Sequence, residues 1–588
     1  MARVLEIASG SKAVAYGGAL LAVLGQDVWK IEIGESGDAL RDEAPKVTRD
    51  GTTVSLPMAH TSAGKRRTWL GDLSLSDCVE IIERDGSVAL SMSGSGRVFA
   101  EALQWADVVV TSFPEIVGSV KGRYRVVSVT PYGFDSAKSS WTISGTTLFH
   151  VSGLGIVSPR SAYHDEVHDG PPQAPWGSPL EYLCGAYAAF SAYGLARTKP
   201  GSLADVALID CMLPLTRREA AAWQYDGFRA SRSERLWKVG PSGFYQCSDG
   251  YIYMHVVEDR QWQKLCAEVG SLDLAEDPRL RDAVGRFAHE SDIDEILGPW
   301  CKSRPRAEVF GALGSAGIPC GAANSAHEAR ELEALVDGRV DRSPRETWVT
   351  PLPIRCEGEE PRWLGESDLA SLDSSRTSSS NDITESLGRA TVAKEGRPYS
   401  GLRVLEFTHV WAGPLCGQLL ADAGADVVKI ESHGHLDVHR RAGPYAEGTP
   451  DINASGVWNA QNRGKRSIAL NLKDRQGLAI ALELVSAADV VIDNFRPGVL
   501  SGLGLSHEAM LARRPGLIGV SISGFGLDEK WRNYPAYGPT MDAIAGLSAA
   551  TADPLGRPQA VNGWLPDVSA SLFAAVAIAS ALDSPSSE

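Results

Sequence analysis

The sequence predicts an α/β fold made of two parallel-sheet units and one smaller α+β unit. Three observations carry this. Gly401 to Glu431 reads as a strand (Arg403 to Phe407), a loop, a helix and a second strand (Asp426 to Ile430), and so short a connection joins parallel strands. The same pattern opens the chain: Arg3-Val4-Leu5-Glu6 matches Arg403-Val404-Leu405-Glu406, and Gly25 to Glu32 matches Gly424 to Glu431. The offset of about 400 residues is far too long for a repeat array and marks a domain duplication. Between the copies the pattern changes to a hairpin followed by helices.

In chain order, residues 1–200 alternate strands and helices, as layered α/β architecture requires. Candidate strands run from Arg3 to Ile7, Val28 to Ile31, Val108 to Thr111 and Val126 to Val129, and Gly185 to Ala196 is a small-residue helix. Residues 201–345 form the smaller unit. Phe244 to Cys247 and Tyr251 to Val256 flank an Asp249-Gly250 turn. A helix follows with Trp262, Leu265 and Cys266 on its apolar side, then helices from Asp292 to Trp300 and Arg306 to Leu313. Residues 346–398 are a return segment and a Ser-rich linker, whose DSSRTSSSNDITES stretch cannot bury enough apolar surface to offset its ordering entropy. Residues 399–588 hold the second copy, without a counterpart to 201–345. In its first helix Leu415, Leu419 and Ala423 share a face that Leu420 widens, and Gly424 sits at a C-cap.

Composition excludes several classes. The 588 residues suggest roughly three to five domains, and 43% hydrophobic with 22% charged residues is ordinary for a globular protein. A net charge of -16 offers no general attraction to nucleic acid or to an anionic membrane surface. Nine cysteines without a C-x-x-C pair indicate neither a disulfide framework nor a zinc site. No signal peptide opens the chain, and the apolar run from Ala570 to Leu582 is short for a bilayer span, so a cytoplasmic protein with a buried helix is expected.

Several motifs carry chemistry, each beside a plainer reading. Asp493-Asn494-Phe495-Arg496-Pro497-Gly498 follows a strand and suits a phosphate or a heterocycle, and equally a solvated turn. Gly464-Lys465-Arg466-Ser467, Lys473, Arg440 and Arg441 form a basic cluster, suited to phosphate or to an ordinary solvated face. Asp567 precedes an apolar helix, as a helix-terminal carboxylate or as a nucleophile. Gly519-Val520-Ser521-Ile522-Ser523-Gly524 misses the G-x-S-x-G spacing. His409, His433, His435 and His439 lack regular ligand spacing, so no metal site is expected.

Taken together and in order, GLRVLEFTHVWAGP, GADVVKIE, NRGKRSIALNLKD, DNFRPGVLSGLG, VSISGFG and LPDVSASLFAA resemble the family III CoA-transferases, also called the CaiB/BaiF family. That group includes carnitine-CoA transferases, formyl-CoA transferase and α-methylacyl-CoA racemase. Residues 2–200 resemble it more loosely, and GFYQCSDGYIYMHVVEDRQWQKLC and AGIPCGAANSAHE resemble its small domain. The resemblance implies two Rossmann-like large domains and one small domain, arranged within one chain as a pseudo-dimer, with homo-oligomers also open. It implies CoA and acyl-CoA as substrates, a carboxylic acid acceptor and no permanently bound cofactor. CoA contacts fall on Val410, Trp411, Ala412, Arg440, Leu470, Lys473, Asn494 and Phe495, and the nucleophilic aspartate on Asp567.

Departures from the family pattern set the alternatives. The first copy has Glu181 at the aspartate position and Ser112-Phe113-Pro114 for Asn494-Phe495-Arg496, so it reads as a degenerate copy. Residues 240–244 read GPSGF in place of a glycine-rich loop, and Gly502 replaces a basic CoA contact. Met541 stands where a racemase has histidine, which argues against an α-methylacyl-CoA racemase or epimerase. A non-catalytic CoA-binding or scaffold protein is the other alternative.

Overall fold

The computed structural model describes residues 1–49, 52–84, 94–159, 171–232, 239–337, 350–351, 354, 363–364, 397–526, 530–561 and 564–583. The Ser-rich linker lies outside the described residues.

The first copy contributes β1 (Arg3–Ile7), β2 (Asp27–Ile33), the hairpin β3 (Lys46–Arg49) and β4 (Thr52–Ser55), β5 (Arg66–Leu70), β6 (Val108–Thr111), β7 (Arg125–Thr130) and β8 (Leu203–Ala207). Its main sheet has the order β5-β2-β1-β6-β7-β8, with every pair parallel. The sheet therefore continues past residue 200 by one strand. Valines fill its centre: Val108, Val109, Val126 and Val127 are fully buried, as expected of a parallel sheet covered on both faces.

The smaller unit holds β9 (Ser242–Cys247), β10 (Gly250–His255) and β11 (Cys320–Ala322) in the antiparallel order β11-β10-β9. Cys247 pairs with Gly250, so the two-residue loop is Ser248-Asp249. The expected Asp-Gly turn is thus shifted by one residue, because Gly250 (φ +148) already belongs to the returning strand. Beyond β12 (Thr350–Pro351) and β13 (Trp363–Leu364), the second copy has β14 (Arg403–Phe407), β15 (Asp426–Glu431), β16 (Arg466–Ala469), β17 (Val490–Asp493) and β18 (Ile518–Ser521). These five form a second all-parallel sheet, β16-β15-β14-β17-β18.

The two copies meet through helices. Lys12–Val23 packs on Pro179–Ala196, which packs on Leu565–Asp583, which packs on Ala412–Asp422. The small-residue composition has a cause: a Cβ at Gly185 would lie 2.8 Å from the Ala13 carbonyl, and one at Gly17 would lie 2.8 Å from the Gly185 carbonyl. One continuous apolar core includes Leu20, Leu183 and Tyr193 of the first copy with Leu415, Leu420 and Leu572 of the second. Arg197 pairs with Asp583 across this junction at 2.9 Å.

Two expectations change here. The helix Ala412–Asp422 has no single apolar stripe: Gly413 to Gln418, Leu420 and Ala421 are all buried, because helices and sheet enclose it, while Leu419 and Ala423 are only half-buried. The apolar helix extends over Leu565–Asp583, 19 residues, long and apolar enough by length and composition to cross a membrane. Its face carrying Val568, Leu572, Ala575 and Val576 is committed to the core just described.

The smaller unit rests on the second copy. Phe244, Tyr253 and Ala323 form one buried cluster with Ala543 and Ala560. Asn324 Nδ2 donates to the Ile544 carbonyl at 3.0 Å, and a Cβ at Gly321 would lie only 2.1 Å from the Thr540 carbonyl.

The duplication extends to buried charge. Glu6 accepts from Lys30 (2.8 Å) and Lys65 (2.5 Å), and Glu406 accepts from Lys465 (2.8 Å) with Lys429 at 3.4 Å. Burial pulls both Lys65 and Lys465 down to about 8, in each case against the attraction of the carboxylate. In both copies a helix glycine makes room: a Cβ at Gly18 or Gly417 would run into Glu6 or Glu406.

Candidate active site

The site is built where the second copy's loops meet the smaller unit. After β14 the chain turns through Val410, whose φ of +68 is a strained value for a β-branched residue. Its N–H donates to Asp437 Oδ2 at 3.0 Å. The first copy makes the same turn with Gly10, also at φ +68, whose N–H donates to Asp38 Oδ1 at 2.7 Å. The second copy thus accepts strain where the first uses glycine, and it places a side chain there. The next residue, Trp411, is 1% exposed and stacks on Trp564 with centroids 5.7 Å apart.

Asp567 lies in the first turn of the helix Leu565–Asp583. With Val410, Trp411, Val438, His439, Tyr537 and Trp564 of the second copy, and His255 and Val257 of the smaller unit, it lines a cavity of about 10 Å³. Its Oδ2 is buried and makes no hydrogen bond within the described residues. Burial pushes the carboxyl up to about 7, partly opposed by the backbone N–H groups of Asp567 and Gly538. A Cβ at Gly538 would come within 2.3 Å of Oδ2, so only glycine leaves the carboxylate its place. Asp542, fully buried on the same helix as Gly538, is driven well above the carboxylate range by burial and then by the charge of Asp567.

The first copy has a counterpart with different surroundings. Glu181 Oε2 faces Gly145 as Asp567 faces Gly538: a Cβ at Gly145 would lie 2.7 Å away. Ser178 (φ 57) and Trp564 (φ 55) occupy equivalent positions three residues before each carboxylate. Where Trp411 and Trp564 line the Asp567 cavity, the first copy has Ser11 and Ser178, with Lys12 next in the chain. Lys12 Nζ pairs with Glu43 and lies 3.6 Å from Glu181.

The remaining expected CoA contacts spread over the neighbouring surface. Asn494 pins the β14 loop, accepting from the His409 N–H at 2.8 Å and donating to its carbonyl at 2.7 Å. Phe495 meets the His409 ring edge-on at 5.3 Å. Ala412 begins the helix, and Ser571 Oγ lies 2.7 Å from its carbonyl. Leu470 belongs to the core with Phe407 and Ile430. Arg440 is buried, held by Glu431 at 2.7 Å and stacked 3.5 Å over Trp458. Lys473 is exposed.

The basic cluster read from sequence is therefore mostly paired. Lys465 serves Glu406, Arg466 pairs with Asp426, and Arg440 pairs with Glu431. Ser521 of the near-miss elbow stays within β18, 3.3 Å from Asp493. His439 Nδ1 lies 3.0 Å from Gln461 Oε1, and burial holds its imidazole toward neutrality.

Sequence reading missed His255, Tyr537 and Trp564. His255 follows Tyr251 and Tyr253 at period 2 on β10, and a polar residue closing so apolar a strand face is the one signal that could have flagged it.

The model of CoA-transferase family III matches residues 86–358 and 399–586, and the chain belongs to that family. It is 45% identical over 193 residues to the acetyl-CoA:oxalate CoA-transferase of Acetobacter aceti, covering 33% of this chain and 48% of that one. It is 26% identical over 571 residues to a probable CoA-transferase of Mycobacterium tuberculosis, covering 90% of this chain and 65% of that one. It is 38% identical over 187 residues to a succinate–glutarate CoA-transferase of Agrobacterium fabrum, covering 32% and 47%. The chain thus spans between about half and 65% of the length of these relatives. A solved CAIB/BAIF family protein of Brucella suis superposes with a TM-score of 0.48 at 19% identity, covering 62% of this chain and 94% of that one.

Proposed function

We propose that this chain is a CoA-transferase that moves CoA from an acyl-CoA thioester to a carboxylic acid, with Asp567 as the covalent nucleophile. The observation that supports it most is one buried carboxylate, with no ion-pair partner among the described residues, in a cavity walled by the second copy and the smaller unit. An Asp567 oxygen lone pair forms a bond to the thioester carbonyl carbon. The C–S bond breaks, its electron pair leaves with the CoA thiolate, and a mixed anhydride remains. The thiolate then attacks the aspartyl carbonyl, releasing the first acid and leaving an aspartyl-CoA thioester. The acceptor carboxylate reverses the sequence and takes the CoA.

In this reading Val410, Trp411 and Ala412 wall the thioester end, while Asn494 and Phe495 hold the loop beside it. Leu470 supports that wall from the core, and Arg440 is a strut through Glu431. The first copy completes an intramolecular pseudo-dimer. The matched relatives are named for oxalate and for succinate and glutarate, so acetyl-CoA or succinyl-CoA with these three acids is the test panel. Transfer of labelled CoA to any of them supports the reading, and no transfer across the panel counts against it.

Two results are expected beyond turnover. Asp567 attacks only when ionised, and its carboxyl is pushed up to about 7. The rate should therefore rise about tenfold per pH unit below 7 and level off above it. A rate already flat from pH 5.5 to 8 would separate the nucleophile from Asp567. Lys473 is the exposed cation of the set. Lys473→Ala should weaken CoA by about 1–3 kcal/mol, less at high salt. Unchanged affinity by calorimetry would remove Lys473 from the CoA surface.

A further inference from the structure

His255 comes to the Asp567 cavity from a different part of the chain, more than three hundred residues away. It is the last residue of β10 and is 2% exposed. Its cross-strand partner on β9 is Ser242, and Ser242 Oγ lies 2.7 Å from His255 Nδ1. Tyr253 Oη lies 3.4 Å from the same Oγ. The ring sits 5.4 Å from Tyr537, edge-on, and 5.9 Å from Trp564. Among the described residues no arginine or lysine lines this cavity, so charge developing there is left to neutral donors: imidazole, phenol, indole and backbone N–H groups.

Resting on the transferase reading, the geometry points to His255 as a further catalytic residue, whose Nε2–H donates to the oxyanion formed when Asp567 adds to the thioester carbonyl. As the C–O bond forms, the carbonyl π pair moves onto oxygen. The imidazole meets that charge without transferring its proton. When the pair returns, the C–S bond breaks and the thiolate leaves with its electrons. In this proposal Ser242 O–H is the donor of its 2.7 Å contact with His255 Nδ1, which leaves the hydrogen on Nε2. Two antiparallel strands hold both members, so the donor is oriented before the reaction begins. Ser242 is a positioning residue, because it acts only through His255.

The test uses the full chain with acetyl-CoA or succinyl-CoA as donor, and follows both turnover and trapping of the Asp567 acyl by hydroxylamine. His255→Ala should lower kcat on the order of 10²-fold with KM within about twofold. His255→Gln, which keeps an N–H donor, should recover about a tenth of the wild-type rate or more. Ser242→Ala, a smaller change less apt to disturb folding, should lower kcat about tenfold with KM unchanged. Should His255→Ala fail to fold, the Ser242→Ala and His255→Gln rates decide. A folded His255→Ala or Ser242→Ala with wild-type kcat overturns the inference, as does a His255→Gln no faster than His255→Ala. Failure of wild type to yield a hydroxamate at Asp567 with either donor instead overturns the transferase reading, and this inference with it.

Discussion

Asp567→Ala should abolish CoA transfer, while Glu181→Ala should leave most of it. Losing a covalent nucleophile costs at least ~10³-fold and up to ~10⁶-fold in kcat, so the contrast is large. Both carboxylates face the first glycine of a short helix, Gly538 or Gly145, so position alone does not separate them. Their neighbours do. Burial raises the Glu181 carboxyl as well, but Glu181 lies 3.6 Å from Lys12, itself held by Glu43, whose ammonium opposes that rise and ties up the carboxylate. Asp567 shares its cavity with Trp411 and Trp564, and among the described residues no lysine or arginine lines it. Glutamate is also one methylene longer, and a misplacement of about 1 Å can cost on the order of a hundredfold. Hydroxylamine with acyl-CoA should convert Asp567 to a hydroxamate found in its tryptic peptide. A hydroxamate at Glu181, or full activity in Asp567→Ala, would reverse the assignment of the two copies.

The largest effect on stability should come from Glu406→Ala. The carboxylate lies 2.8 Å from Lys465 and 3.4 Å from Lys429, and all three side chains are at most 2% exposed. Removing it leaves two buried ammonium groups without their counter-charge, a loss of about 3–5 kcal/mol. Replacing all three by apolar residues of similar volume should be close to neutral by the same argument. Urea unfolding of the two variants checks this. If the triple variant falls as far as Glu406→Ala, then shape at Gly417, where a Cβ would strike Glu406, matters more than charge.

Much of the fold was legible because it depends on local pattern. The strand from Arg403 to Phe407 carries its own apolar run, and the repeat of Arg-Val-Leu-Glu reveals the duplication without any structure. The carboxylate pair was legible through the same repeat, since Tyr187-Ala188-Ala189 aligns with Phe573-Ala574-Ala575 and so places Glu181 opposite Asp567. The basic cluster was not legible. Whether Lys465 is free for a phosphate depends on Glu406, 59 residues earlier, and sequence spacing says nothing about that approach. The pairing of Arg440 with Glu431 on β15 was hidden for the same reason. His255 escaped because its relevance exists only once the smaller unit rests on the helix that carries Asp542. Even the width of the apolar face on Ala412–Asp422 depended on neighbours, since a helix enclosed on all sides loses the stripe that marks a surface helix.

The shared core has a consequence for how the chain tolerates change. Leu183 and Tyr193 of the copy without the covered aspartate belong to one apolar body with Leu415 and Leu572, the latter a little over one turn from Asp567. A core-emptying substitution in a buried leucine costs about 2–5 kcal/mol wherever it falls in such a body. If only the second copy does chemistry, as proposed, the first copy still stays exposed to selection, not through any reaction of its own but as ballast that keeps the other copy upright. Its surface loops bear no such constraint, while its buried helix faces are held as tightly as those beside Asp567.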